Sequence, residues 1–179
     1  MQGQTGVRAF DGTTAWAYMP FMGKAEPEKM AEEDRADMEQ QADFVGPLVD
    51  YQKKGNQVRL VGKRDVEGTD AYDLELTLKN GDVVHELIDA DSFLTIKEES
   101  KRKMGDQEME IETSIGNYQS VNGLMLPFSM QSHIKGAPAG APGQSVTIEK
   151  YELGATVDDS RFAMPAKAAA PAPAAKPGN

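Results

Sequence analysis

Cysteine is absent from this sequence, histidine is rare, and no long apolar run occurs. With no cysteine among 179 residues, disulfides, zinc–thiolate sites and a thiol nucleophile are excluded. Only two histidines are available for a metal site or a catalytic triad. No stretch approaches the roughly 20 apolar residues that a membrane-spanning helix needs, and the mean hydropathy is −0.54. The composition therefore predicts a water-soluble chain that does not span a membrane.

Basic residues are also fewer than acidic residues. Lys and Arg total 19 against 29 Asp and Glu, which gives a net charge of −10. Such a balance opposes attraction to phosphate backbones and to anionic lipid surfaces. The charge therefore argues against nucleic acid as a partner.

Strand-like segments separated by turn signals make up most of the chain. A strand with Trp16 and Tyr18 on one side is expected within Thr13–Met19, and everything from about Gln57 onward alternates strands with turns. The turn signals are Glu67-Gly68, Asn80-Gly81, Asp89-Ala90-Asp91, Gly105-Asp106 and Asn122-Gly123. These features predict a mainly β domain with minor α content, built as an antiparallel meander over residues 1–165. Residues 166–179 are rich in Pro and Ala and are expected to form a disordered tail.

One segment, between Glu26 and Phe44, is the helical candidate. It carries eight acids against the two bases Lys29 and Arg35, beside a thin apolar stripe. The acids are interpreted as a solvated helix face rather than a cation site.

Hairpin arithmetic predicts which residues share a sheet face. If each turn is a two-residue loop, the pairing of the strands follows from the sequence. The predicted pairs include Leu76 with His85, Leu87 with Leu94, Lys101 with Glu110, Lys103 with Glu108, Ile111 with Ile134, and Ile115 with Met130. All four hairpins then place apolar residues on one face and charged residues, Glu86 among them, on the other.

The predicted apolar face is broader than one helix can cover. Six strands make a sheet of roughly 700 Å² in plan, and a twelve-residue helix covers roughly a quarter of it. The sheet must therefore curl, pair with another chain, pack on further sequence, or hold an apolar ligand. The candidate lining residues are Trp16, Tyr18, Phe21, Leu74, Leu76, Leu78, Val83, His85, Leu87, Leu94, Ile96, Ile111, Ile115, Phe128 and Met130.

Catalytic chemistry has little support in the sequence. The predicted register places His85 on the apolar face and His133 on the other, so a triad or a two-histidine metal site is not expected. Residues 55–64 lack the glycine spacing of a phosphate loop. Residues 89–92 suit a tight turn better than a hard-cation site. We predict no catalytic residue, metal or cofactor.

A series of short motifs, in order along the chain, resembles bacterial outer-membrane lipoprotein-sorting proteins. The resemblance extends over nearly everything from Thr13 to Pro165. Its pieces are Ala15-Trp16, Pro20-Phe21, Ala42-Asp43-Phe44, Gly46-Pro47-Leu48-Val49-Asp50-Tyr51, Leu76-Thr77-Leu78-Lys79-Asn80-Gly81, Tyr118, Val121-Asn122-Gly123, Leu126-Pro127-Phe128-Ser129 and Met164-Pro165.

The resemblance implies a curved, unclosed half-barrel with one or two short helices against its concave apolar face. It also implies a non-enzymatic carrier or chaperone in the periplasm, which binds acyl chains of lipoproteins or lipids and exchanges them with a membrane-bound donor or acceptor. On this basis a signal peptide, an initial helix and the first strands are expected before Met1. The alternatives are a protein-interaction or sensor domain that uses the curved sheet and, with the least support, a hydrolase that depends on His85.

Overall fold

The chain folds into antiparallel β-sheets accompanied by one α-helix among the described residues. A computed structural model describes residues 6–104, 107–138 and 141–165, so the predicted tail lies outside the described residues. The described residues form two compact units: one contains residues 6–44 and 156–165, and the other contains the described residues between 45 and 155. The prediction of a mainly β chain with open antiparallel sheets is confirmed. Over the described ranges, no helix is long and apolar enough to cross a membrane.

The first unit contains a three-stranded sheet in the order β1-β2-β3. Its strands are β1 (Val7–Phe10), β2 (Ala15–Met19) and β3 (Lys24–Lys29). The predicted strand around Trp16 is β2. Trp16 is buried, and its indole Nε1 donates a 2.7 Å hydrogen bond to the Phe162 carbonyl. This bond satisfies the polar atom of a large buried aromatic side chain and ties the last described segment of the chain to the sheet.

Helix α1 spans Glu32–Gln41, inside the segment that the sequence indicated, and contacts β1 and β2. Three acids occupy its first turn, where they complement the positive end of the helix dipole. Arg35 pairs with Glu32 at 2.6 Å and with Glu39 at 3.1 Å along the exposed surface. No residue of α1 is fully buried, so the acids form a solvated face, as the sequence indicates.

The second unit contains a seven-stranded antiparallel sheet in strict chain order. Its strands are β4 (Gln57–Val66), β5 (Thr69–Thr77), β6 (Val83–Asp89), β7 (Thr95–Met104), β8 (Gln107–Val121), β9 (Leu124–Ile134) and β10 (Gln144–Thr147). The meander is therefore confirmed, with β4 and β10 as the two edges of a sheet that does not close.

Two of the four predicted registers are confirmed. Between β8 and β9, Ile111 pairs with Ile134 and Ile115 with Met130. Their loop is the two-residue turn Asn122-Gly123, in which both residues have positive φ, as a type I′ turn requires. Between β7 and β8, the predicted partners of residues 101 and 103, residues 110 and 108, are found opposite them.

The register between β5 and β6 is wrong by one residue. Leu76 pairs with Val84 rather than with His85, because the loop has three residues, 79–81. The Leu78 N–H donates to the Asp82 carbonyl, and Gly81 adopts a left-handed φ of 91°. A three-residue loop with glycine in this position is a standard hairpin connection, and a slip of one residue turns every side chain to the opposite face.

The register between β6 and β7 is wrong by three residues at Leu87, which pairs with Lys97 instead of Leu94. The loop holds four residues, 90–93, and Ile96 is an extra residue in a β-bulge. The two register errors, of one and three residues, are both odd, and an odd shift moves side chains to the opposite face of the sheet. The second error therefore returns the part of β7 beyond Ile96 to the predicted face. Strand β6 and Thr95, which precedes the Ile96 bulge, are inverted relative to the prediction. The inversion puts Val83, His85 and Leu87 on the face predicted to be charged and Glu86 on the apolar one.

Candidate functional site

One face of the seven-stranded sheet, here called the apolar face, is dominated by aliphatic side chains. Residues opposite one another in register share a face, and residues two apart on a strand do the same. Applying this rule from β4 to β10 assigns to the apolar face Val58, Leu60, Leu74, Leu76, Val84, Ile88, Ile111, Ile115, Phe128, Met130, Ile134 and Val146.

The apolar face is only partly withdrawn from solvent. Leu76 and Val84, at its centre, are 0% and 8% exposed, whereas Leu60 on β4 is 58% exposed. At the other side, Ile134 and Val146 are 41% and 37% exposed. Aliphatic side chains left accessible on both sides of a packed centre form the kind of surface that accepts an apolar ligand or partner.

A row of polar side chains crosses the apolar face from β6 to β10. Glu86 pairs with Glu98, Glu98 with Thr113, Thr113 with Ser132, and Ser132 with Gln144. The Thr113 and Ser132 hydroxyls are 2.8 Å apart. These five side chains, here called the polar row, lie between aliphatic residues two positions to either side on strands β6, β8 and β9. The polar row does not follow from the register predicted from sequence, which places Glu86 on the opposite face.

Glu86 is the deepest member of the polar row, at 7% exposure. The Thr95 hydroxyl donates to its Oε2 at 3.1 Å. Thr95 reaches the apolar face because the Ile96 bulge shifts its side chain onto that side of β7. Burial, with a further contribution from the charge of Glu98, raises the pKa of Glu86 even though the Thr95 hydrogen bond opposes the shift.

Two tyrosines accompany this buried carboxyl group. The Tyr118 hydroxyl donates to the Thr95 carbonyl at 2.6 Å. Burial raises the pKa of Tyr118, and the nearby charges of Glu86 and Tyr151 add to the increase. The Tyr151 ring packs edge-on against Phe128 at 5.2 Å, and its hydroxyl donates to the Pro127 carbonyl. Both tyrosine hydroxyls thus donate to backbone carbonyls, on β7 and on β9.

The opposite face, here called the charged face, carries a continuous network of ion pairs. Its members are Arg59, Arg64, Asp73, Glu75, His85, Lys97, Glu99, Lys101, Glu110, Glu112, His133 and Lys135. The network includes acids that are well buried: the Asp73 side chain is 4% exposed, and the Glu112 side chain is 12% exposed.

Asp73 is held between two bases. Arg64 Nε lies 3.3 Å from its Oδ2, and His85 Nδ1 lies 2.7 Å from its Oδ1. A bulge in β4 makes this arrangement possible, because the extra residue Val61 allows Arg59 and Arg64, five positions apart, to reach the same face. The buried Asp73 carboxylate is therefore compensated by the Arg64 guanidinium on β4 and by a hydrogen bond with the His85 ring on β6.

His85 lies on the charged face, and the prediction that it lies on the apolar face is wrong. Its Nδ1 meets Asp73, and its Nε2 is 3.8 Å from Glu75 Oε2. Both ring nitrogens therefore face carboxylates, which suits an ion-pairing role. In the part of the chain that the structure describes, no group of three His, Cys, Asp or Glu side chains is arranged to hold a metal ion.

The predicted lining residues fall into separate groups. Leu74, Leu76, Ile111, Ile115, Phe128 and Met130 lie on the apolar face, whereas Val83, His85 and Leu87 lie on the charged face. Leu78 and Leu94 lie just outside strands β5 and β7, and Ile96 is the bulge residue. A contact of any of these residues with a lipid stays a prediction.

The remaining lining candidates belong to the first unit. Trp16 and Tyr18 line a small apolar cleft of about 260 Å³ together with Val7, Pro27 and Pro165. Phe21 lies in a short 3-10 turn and is 42% exposed.

Comparison with known proteins identifies the fold. No family model and no curated protein matches the sequence. Among solved structures, a LolA superfamily protein from Nitrosomonas europaea matches with a TM-score of 0.57 at 17% identity, over 90% of this chain and 71% of that one. A DUF1329 family protein from Desulfovibrio piger matches with a TM-score of 0.55, also at 17% identity, over 84% of this chain and 62% of that one. The chain therefore has a LolA-like fold, which is the fold that the resemblance in the sequence implied.

Proposed function

We propose that this protein is a non-enzymatic carrier or chaperone that binds acyl chains of lipoproteins or lipids on the apolar face. The proposal rests on the exposed aliphatic side chains of the apolar face, among them Leu60 at 58% and Ile134 at 41% exposure. Each methylene group that a ligand buries contributes about 0.8 kcal/mol. An ordinary acyl chain therefore supplies useful affinity without recognition of any polar group.

The LolA-like fold supports the same proposal at a coarser level. A lipoprotein-carrier-like fold suits cargo exchange with a membrane-bound donor or acceptor in the periplasm, during outer-membrane lipoprotein sorting. Fold and function are separable in general, so the proposal depends on the surface as well as on the structural neighbours.

A direct test is binding of a neutral fluorescent acylglycerol to the full chain, purified without detergent. We expect saturable binding that Ile134→Asp weakens by about tenfold, because a charge then lies beside the apolar ligand. The matched control is Val83→Asp, since Val83 has nearly the same exposure, 39% against 41%, but lies on the charged face. This control is expected to retain the affinity of the natural sequence.

Lipid extraction and native mass spectrometry of the same preparation provide a second measurement. Co-purified lipid that Ile134→Asp removes and Val83→Asp leaves in place supports a carrier. Absence of lipid, together with failure of the acylglycerol to bind, would refute the carrier proposal and favour a protein-interaction or sensor domain that uses the same sheet.

A further inference from the structure

Lys63 is a basic residue that a β-bulge brings onto the apolar face. It pairs with Tyr72 in register, and Tyr72 lies on the apolar face because it is two residues from Leu74. Strict alternation from Leu60 would place Lys63 on the charged face, but the extra residue Val61 reverses the order. Bulges often re-aim side chains next to functional sites.

The charge of Lys63 lacks a carboxylate partner. Among the described residues Lys63 forms no ion pair, and its ammonium nitrogen lies 4.9 Å from the centre of the Tyr72 ring. Each of the other Lys and Arg side chains described on the seven strands has a carboxylate within 3.6 Å; these residues are Arg59, Arg64, Lys97 and Lys101. An aromatic ring attracts a cation but takes up few of its N–H donors. Lys63 is exposed, so these donors are open to an approaching anion.

Phe93 extends the aromatic surface beside Lys63. Its ring stacks on Tyr72 with 6.4 Å between the ring centres, although the residue is 69% exposed. Phe93 has a left-handed φ of 58°, which bulky residues seldom adopt. Strained backbone of this kind clusters at binding sites, where neighbouring contacts hold it in place. Lys63, Tyr72 and Phe93, here called the aromatic corner, therefore combine two local irregularities, a bulge and a strained loop residue, around one cation.

The aliphatic part of the apolar face begins directly beside the aromatic corner. Leu60, on the same face of β4 as Lys63, is 58% exposed and lies opposite Leu74. An acyl chain that lies along β4 and contacts Leu60 therefore brings its head group to Lys63.

Acidic side chains limit how strongly this corner can attract an anion. Asp65, two residues from Lys63 on the same face, lies opposite Asp70 and accepts a hydrogen bond from the Gly68 N–H. Glu86 lies two strands from Lys63, which is about 10 Å across the sheet. We therefore expect the contribution of an exposed ion pair rather than that of a buried one.

From this arrangement we infer that the aromatic corner receives the anionic head group, a carboxylate or a phosphate, of cargo whose acyl chain lies along β4. The inference rests on the proposed function, because the acyl chain supplies most of the affinity. Lys63 supplies the positive charge and the hydrogen-bond donors, and the Tyr72 ring holds the ammonium group in position.

Direct binding of four probes to the full chain tests the inference. Decanoate, decyl phosphate, decanol and decylammonium share one chain length and differ in head group. Isothermal titration calorimetry below their critical micelle concentrations, in about 0.15 M salt, limits the contribution of the net charge of −10. We expect an anionic probe to bind about fivefold more tightly than decanol, as one exposed ion pair allows. Whichever of the two anions binds more tightly identifies the head-group class.

The decisive variant is Lys63→Gln, which removes the charge and keeps a side chain of similar length. It is expected to bring the anionic probes to within about twofold of decanol and to leave decanol unchanged. Lys63→Arg should keep the preference, because arginine retains the charge and also stacks on aromatic rings. The matched control is Lys101→Gln, which removes the same charge from the charged face of the same sheet, where Lys101 is 58% exposed.

A second variant locates the chain. Leu60→Ser is expected to weaken all four probes by a similar factor of about fivefold, because the aliphatic contact beside Lys63 is lost. An unchanged affinity of every probe would show that the chain lies elsewhere and would overturn the inference.

The remaining outcomes separate this inference from the proposed function. If all four probes bind equally, or if Lys63→Gln keeps the anionic preference, the head-group inference is wrong while the acyl-carrier proposal stands. If Lys101→Gln loses the preference as well, net charge explains it and the inference is also wrong. If neither the probes nor the fluorescent acylglycerol bind, both proposals fail together.

Discussion

On the charged face of the seven-stranded sheet, Asp73 lies between Arg64 and His85, while on the apolar face Glu86 lies opposite another carboxyl group. Both acids are almost fully buried, at 3% and 7% exposure. Burial of a charge costs several kcal/mol unless a partner compensates for it. The difference shows that the charged face supplies a basic partner for its most buried acid, whereas the residues opposite Glu86 on the apolar face are Leu74 and Glu98.

Among the substitutions on the charged face, removal of the Asp73 carboxylate is expected to lower the free energy of unfolding most. Asp73→Ala leaves Arg64 and His85 without their shared carboxylate, and a broken buried ion pair costs about 3–5 kcal/mol. Urea unfolding followed by circular dichroism measures the loss. The control Glu110→Gln, whose side chain is 45% exposed, is expected to cost less than about 1 kcal/mol. Equal effects of the two variants would contradict the account of the charged face.

Leu76→Ala tests the packed centre of the apolar face. Leu76 is 0% exposed, and truncation of a buried leucine typically costs about 2–5 kcal/mol. Leu60→Ala, at 58% exposure, is expected to change the free energy of unfolding by no more than about 0.5 kcal/mol. A large loss from Leu60→Ala would show that the edge of this face is packed rather than open.

The two faces are expected to respond to pH with opposite signs. The raised pKa of Glu86 means that the folded chain binds this proton more tightly than the unfolded chain. Its contribution to stability is complete below the ordinary glutamate pKa and is lost as pH rises through the raised value. Glu86→Gln should therefore stabilise the protein at pH 7, by less than Leu76→Ala destabilises it, and the gain should vanish in acid.

Glu112 provides the opposite case. Burial by itself would raise its pKa, but the Lys97 hydrogen bond and the charges of Lys97, Lys135 and His133 outweigh burial and lower it. Its contribution is complete above the ordinary glutamate pKa and is lost as pH falls through the lowered value. Glu112→Gln should destabilise the protein at pH 7 and lose its effect in acid. Unfolding curves of both variants from pH 3 to pH 8 that shift in the same direction would contradict this assignment.

The smallest expected effect is at the rim of the charged face. Arg59 pairs with Glu75 at 2.8 Å, but the arginine side chain is 65% exposed. A double-mutant cycle with Arg59→Gln and Glu75→Gln should give a coupling energy of about 0.2–1 kcal/mol. The coupling should weaken further in 1 M salt, where exposed charges are screened. A coupling that salt does not change would indicate that the pair is buried in solution.

Much of the second unit follows from local sequence signals. Asn122-Gly123 specifies a type I′ turn, and the predicted registers of β7 with β8 and of β8 with β9 are correct. The open, mainly β fold follows from the alternation of short strands and turn residues, and the helix lies inside its predicted segment. The apolar side chains of β5, β8 and β9 are assigned correctly because their own alternation is clear.

The composition of the candidate site depends on details that the local sequence leaves open. Asn80-Gly81 is compatible with loops of two or three residues, and the residue after Ala90-Asp91-Ser92 is a phenylalanine with a left-handed φ of 58°, which bulky side chains seldom adopt. The Ile96 bulge leaves no distinctive signal in the sequence either. Each of these features shifts the register by one or two residues, and an odd shift exchanges the two faces of a strand.

The fold class, the order of the strands and the existence of an aliphatic face therefore follow from the amino-acid sequence, because these features depend on alternation and turn chemistry within short segments. Contacts between strands in the folded chain determine which side chains of β6 lie on the apolar face. Strand β6 carries Val84, Glu86 and Ile88 on one side and Val83, His85 and Leu87 on the other, so its own pattern favours neither side. The ion pairs of His85 with β5, and the pairing of Val84 with Leu76, are contacts between strands that no single segment encodes.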